Sequence, residues 1–102
     1  MRARSIGWSA SLLAAIASSA FSQEMGDRDA GERLVALNCA QCHGAFDAPG
    51  GAPAFTTIAN MPSTTAEALN VFLRTPHATM PDIILSAEDR SDIIAYILSL
   101  RP

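Results

Sequence analysis

The sequence predicts an all-α domain of three main helices joined by long loops. Three stretches carry apolar residues at helical spacing behind acidic or hydroxyl-bearing first turns. No stretch alternates apolar and polar residues as a half-buried strand would. The chain has 102 residues, room for one domain.

The first 22 residues stand apart from that domain. Arg2 and Arg4 open them, an apolar run from Ile6 to Ala17 broken only by glycine and serines follows, and small residues close them. These are the three parts of a secretory signal peptide. Ala20 and Ser22 fit positions −3 and −1 for cleavage after Ser22, with cleavage after Ala20 as the competitor. A retained anchor is the alternative, but an apolar run of about 12 residues falls short of the roughly 20 that span a bilayer. The expectation is export to the periplasm, with a signal peptide at 1–22, a mature domain at 23–102 and no membrane span after cleavage.

A mature chain of 80 residues is of a size at which an apolar core usually needs a staple. The two cysteines, Cys39 and Cys42, would close so small a disulfide loop that little unfolded-chain entropy would be removed. A bound cofactor is therefore the expected staple. Without Arg2 and Arg4, five arginines face ten acids, a net charge of −5, and the chain has no lysine. Phosphate backbones require clustered positive charge, so nucleic acid is excluded as a partner class.

The elements follow in order. "DRDAGERLVALN", Asp27 to Asn38, places Ala30, Gly31, Leu34, Val35 and Asn38 at helical spacing with acids in the first turn. A glycine within a helix costs about 1 kcal/mol against alanine, so a bulky element is expected to pack close at Gly31. Ala45 to Ala54, with Pro49, Gly50, Gly51 and Pro53, reads as loop. Thr64 to Thr75 reads as a helix with Thr64 and Glu67 as a capping box, an apolar face of Ala68, Leu69, Phe72 and Leu73, and Pro76 as its stop. The last helix starts from a Ser86/Asp89 cap and carries Ile93, Ile94, Ile97 and Leu98 on one stripe, widened by Tyr96 and Leu100.

"LNCAQCHGAF" then raises the chemical question. A thioredoxin-like C-x-x-C would follow a strand in a βαβ setting, and here a helix leads into Cys39. A zinc site needs four ligands, and after Cys39, Cys42 and His43 only His77 remains. C-x-x-C-H is the attachment pattern of c-type haem. On a helical turn, positions i, i+3 and i+4 share one side. Two thiols can then bond the vinyl groups along one porphyrin edge while the His43 imidazole reaches the iron.

With these residues in place, the whole mature chain resembles the small monohaem class I cytochromes c, a bacterial and exported group. "GERLVALNCAQCH" resembles their N-terminal helix and haem motif, "GGAPAF" the loop whose proline carbonyl accepts from the haem-ligating histidine, "FLRTPHATMPD" the methionine-ligand segment, and "LSAEDRSDIIAYILSL" the C-terminal helix that crosses the first. The resemblance implies a cytochrome c fold wrapped around one covalently bound haem c, with Cys39 and Cys42 in thioether bonds. It implies His43 as one iron ligand, Pro53 as the proline whose carbonyl holds it, and Tyr96 close to Gly31.

For the opposite ligand the mature chain offers Met25, Met61 and Met80. Met25 precedes the first helix. Met80 lies 37 residues after His43 on a loop, before Pro81, and Met61 lies 18 after it, before Pro62. The resemblance supports Met80. His77 has a bland reading as a loop histidine, exposed or bonded to a backbone carbonyl, and sharper ones as a propionate contact or rival ligand. Arg74 is a candidate propionate contact, with a solvated helix end as its alternative.

The expected function is an exported carrier of single electrons between redox proteins (a dehydrogenase, an oxidase or another cytochrome), without catalytic residues of its own. One alternative is a cytochrome subunit held by a dehydrogenase; another is a five-coordinate haem serving as gas sensor or peroxidase. Mitochondrial relatives carry a lysine ring that this chain lacks. The apolar loop Ala45 to Ala52 is expected to border the haem edge, with acids such as Asp47 facing a basic partner patch.

Overall fold

The structure, a computed structural model, describes residues 25–49 and 51–102 and four isolated positions before them, 3, 5, 7 and 11. Apart from those four positions, the expected signal peptide and its cleavage site lie outside the described residues. Among the described residues there are four helices and no strand: α1 (Arg28–Asn38), α2 (Phe55–Asn60), α3 (Ala66–Phe72) and α4 (Ala87–Ser99). The all-α expectation holds, with one helix more than the sequence predicts.

The α1 helix begins where Asp27 accepts hydrogen bonds from the amides of Asp29 and Ala30, satisfying donors that have no partner inside the helix. The Asp27 amide itself donates to Asp92 Oδ1 at 2.7 Å, which ties the start of α1 to the middle of α4. Asp92 is only 8 % exposed, so it is a buried latch rather than one of the surface acids at the start of α4. Two glycines let the backbones meet. A Cβ on Gly31 would stand 1.9 Å from the Asp92 carbonyl oxygen, and one on Gly26 would stand 2.0 Å from that of Ser91. The closest neighbour of Gly31 is the α4 backbone at Asp92 and Ile93, one turn before Tyr96, so the crossing of the two helices is what the glycine permits.

All three shorter helices pack on α4, and α1 does so most extensively. The core joins Val35 of α1, Ala59 of α2, Leu69 of α3, and Ile93 and Ile97 of α4. Each fully buried isoleucine contributes about 1.5–3 kcal/mol through removal of apolar surface from water. The predicted stripe of α4 is thus its packing face, and Ser86 caps it by accepting from the Asp89 amide at 3.0 Å.

The middle of the chain departs from expectation. Thr65, not Thr64, caps α3, accepting from the Ala68 amide at 3.0 Å. Thr64 is buried and donates its hydroxyl to the Ile58 carbonyl at 2.6 Å, closing the α2–α3 turn. With the helix one residue later, Glu67 falls in its second position and no capping box forms. The helix ends at Phe72, ahead of Pro76, and of the expected face Leu69 is buried and Leu73 half-buried while Ala68 and Phe72 are exposed. Arg101 folds back to donate to the carbonyls of Ala59 and Thr64, fastening the chain end onto this corner.

Candidate functional site

The cysteine motif is a single turn that continues from α1. The Cys39 and Ala40 amides both donate to the Val35 carbonyl, and the Cys42 and His43 amides both donate to the Cys39 carbonyl, at 3.2 and 2.9 Å. Cys39, Cys42 and His43 therefore occupy the i, i+3 and i+4 positions of one turn. Cys39 is half-buried and Cys42 exposed, and the two are not bonded to each other. Burial pushes the Cys39 thiol above its ordinary range. A C-x-x-C redox centre works with a depressed first thiol, so this environment runs against disulfide exchange.

His43 is fixed on two sides. Its Nδ1 lies 2.7 Å from the Pro53 carbonyl oxygen, and its ring stacks on Phe55 with centroids 4.7 Å apart. A carbonyl can only accept, so Nδ1 carries the proton and the Nε2 lone pair is free for a metal. Phe55 is the first residue of α2, whose entry is held by the Asp47 carboxylate accepting from the Ala54 amide at 2.8 Å. Neither Phe55 nor this role of Asp47 was visible from spacing. Asp47 lies seven residues before the amide it binds, outside the range of local capping patterns.

The loop between α3 and α4 carries the other candidates. Cys39 and Met80 line one cleft of about 330 Å³, walled by Leu73, Ile83, Ile84 and Leu85. His43 lines a second cleft of about 300 Å³ with Ala54, Phe55 and Tyr96. Arg74 is exposed at the edge of the first cleft. His77 lies with Nε2 2.8 Å from the Phe72 carbonyl and its ring stacked on Phe72 at 3.6 Å, so it donates to a backbone carbonyl as its bland reading has it. Arg90 also lines the first cleft, held by bonds to Asn70 Oδ1 and the Leu85 carbonyl at 3.2 and 3.0 Å. Its place in "AEDRSD", among acids at the start of α4, hid it as one more surface charge. Met61 is exposed and forms the cap that ends α2.

The residues present fit a haem. Two thiols and an imidazole with free Nε2 sit on one turn, Cys39 of that turn shares one cleft with the Met80 thioether while His43 lines the other, and Ile84 on the first cleft is 100 % exposed. Large apolar side chains gathered at a cleft mark a surface built to be covered by an apolar ligand. Among the described residues, no three His, Cys, Asp or Glu side chains gather to hold a bare metal ion.

Comparison with known proteins agrees with this geometry. Residues 26–97 match the family described as cytochrome c oxidase, cbb3-type, subunit III. Cytochrome c-552 of Bradyrhizobium diazoefficiens is 40 % identical over 95 residues, covering 89 % of this chain and 91 % of that protein. No solved structure matches. The chain belongs to the small monohaem cytochromes c, electron carriers with a covalently bound haem c.

Proposed function

We propose that this protein is an exported cytochrome that carries single electrons between redox partners through a haem held by His43 and Met80. The observation that carries this reading is the His43 Nδ1–Pro53 carbonyl bond, which leaves Nε2 free in the same turn that presents both thiols. Bound haem c supplies the one-electron ferric/ferrous couple. Cys39 and Cys42 would hold its edge through thioether bonds, and Pro53 and Phe55 would hold the His43 ring in one orientation. The Met80 thioether would raise the potential, as a soft ligand does. His43, pinned by Pro53 and Phe55, would keep its orientation in both oxidation states, so little rearrangement of the chain would oppose transfer. Leu73, Ile83 and Leu85 would exclude water from the Met80 side, and Arg74 or Arg90 would neutralise a propionate.

Partner contact is assigned to the loop from Ala45 to Ala52, where Phe46 is 86 % exposed among small residues. With no lysine in the chain, the complementary patch belongs on the partner, and charge there sets on-rate more than affinity. A transfer rate unchanged by salt would remove the electrostatic part. A second reading, a permanent subunit of a redox complex, is favoured by the matched family's description as an oxidase subunit. Co-purification with a larger chain at high salt would select it. Periplasmic location completes the proposal, and none of the described helices is long and apolar enough to cross a membrane.

The test is the visible spectrum of the purified protein, ferric and ferrous, with and without carbon monoxide. A methionine-sulfur charge-transfer band in the ferric form and no carbon monoxide shift in the ferrous form are expected. A missing band together with a carbon monoxide shift would overturn the His43/Met80 site and favour a sensor or peroxidase.

A further inference from the structure

The geometry points to Asp47 as a positioning residue that tunes the haem through the Pro53–Ala54 peptide and His43. This inference rests on His43 being an iron ligand. The Pro53 carbonyl and the Ala54 amide belong to one planar peptide unit. One edge of that unit accepts from His43 Nδ1 at 2.7 Å, and the other donates to Asp47 Oδ1 at 2.8 Å. The peptide is gripped from both edges, with Ala54 only 2 % exposed. Its rotation, which would swing the carbonyl off His43, is blocked by the carboxylate.

The same contact is electronic. A charge-assisted bond to an amide N–H shifts the amide toward the resonance form with more negative charge on its oxygen, and bonded chains polarise one another in this way. A more negative Pro53 oxygen draws harder on the Nδ1 proton, and a ligand histidine bonded at its far nitrogen becomes a stronger donor. A stronger donor favours ferric iron and lowers the potential. Asp47 is the only acid between Glu32 and Glu67, so no neighbouring carboxylate in sequence can replace it. The surrounding turn places it: the Ala48 amide donates to the Ala52 carbonyl at 3.5 Å and the Gly51 amide to the Ala48 carbonyl at 2.9 Å, which folds the loop back so that Asp47 faces Ala54.

The experiment compares the holoprotein with Asp47→Ala and Asp47→Asn by midpoint potential, visible spectrum and exchange rate of the His43 Nδ1 proton in the ferrous state. Asp47→Ala should shift the ferric/ferrous balance toward reduction about threefold to tenfold, which is ~30–60 mV upward for one electron. It should also speed Nδ1 exchange about tenfold while both axial-ligand signatures persist. Asp47→Asn keeps an acceptor without the charge, so its potential should rise less and its Nδ1 exchange should stay slow.

Equal potentials for the two variants would overturn the proposal, because charge would then act through space and the peptide would transmit nothing. An unmoved potential and exchange rate in Asp47→Ala would overturn it too, leaving Asp47 as a loop staple. Should Asp47→Ala not accumulate with haem, Asp47→Asn decides: a raised potential with slow exchange supports the proposal, and an unmoved potential defeats it. A parent protein without a haem-shifted His43 ring proton would defeat the ligand assignment itself, and this inference with it. A parent with that signal and inert variants defeats only the role of Asp47.

Discussion

At the α1–α4 crossing two backbones touch, with Gly26 and Gly31 set against the carbonyls of Ser91 and Asp92 and with Val35, Ile93 and Ile97 buried alongside. The loops around the site are held differently: beyond their own backbone turns they depend on bonds between a side chain and the backbone, Asp47 to Ala54, His43 to Pro53, His77 to Phe72 and Arg90 to Leu85. The crossing is close-packed and tolerates no added volume. The loops are fastened at points, so losing one fastening there leaves the packed crossing intact. The scaffold thus supplies stability and the loops supply geometry, and the two should respond to mutation on different scales.

The largest effect is expected at the crossing. Gly31→Val drives a branched side chain into the α4 backbone, where even a Cβ would stand 1.9 Å from a carbonyl oxygen. The loss should exceed about 4 kcal/mol, a range confined to outright structural conflict, and should abolish holoprotein accumulation. Ile97→Ala, which removes volume from the same interface, should cost about 3 kcal/mol with the visible spectrum retained. Urea midpoints measure both. An Ile97→Ala protein as stable as its parent would mean that the crossing is not what holds the domain.

The same division decides what the sequence could reveal. Ile93 and Ile97 announce themselves because packing against one neighbour imposes a period, and Ser86 with Asp89 marks a helix start because a cap is local. The C-x-x-C-H turn is local as well. Other features depend on residues brought together only by the fold. The α2 helix is six residues long and has no side-chain cap, so it offers neither period nor signal. Asp92 is one acid among several at the start of α4, and only the fold brings the Asp27 amide to it across 65 residues. Thr64 and Thr65 are adjacent and chemically identical, and the α2–α3 turn alone decides which faces inward.

His77→Ala tests the loop side of the comparison. The Phe72 carbonyl keeps the Thr75 amide as a donor at 3.2 Å, so one bond is lost and no acceptor is orphaned. The cost should be about 1 kcal/mol, confined to the segment leading to Met80, because local openings need not involve global unfolding. Binding of added imidazole to the ferric iron should quicken about fivefold, the factor that about 1 kcal/mol represents, while the urea midpoint barely moves. A large fall in the midpoint without faster imidazole binding would place His77 in the scaffold instead.

The smallest effect separates two readings of one helix start. A capping box at Thr64 would make Glu67 its reciprocal partner, so Glu67→Ala would weaken the helix through a lost bond. With Thr65 as the cap, Glu67 contributes only through the helix dipole, a few tenths of a kcal/mol at an exposed site. Thr65→Ala removes the acceptor for the Ala68 amide and should cost about 1 kcal/mol. In a domain of this size that lowers the melting temperature by roughly 4–8 °C, whereas Glu67→Ala should shift it by a quarter of that or less. Melting curves of the two variants in the same buffer decide between them. Equal shifts would mean that α3 does not start at Thr65 in solution, and that its corner with α2 is less fixed than the Thr64 hydroxyl bond makes it.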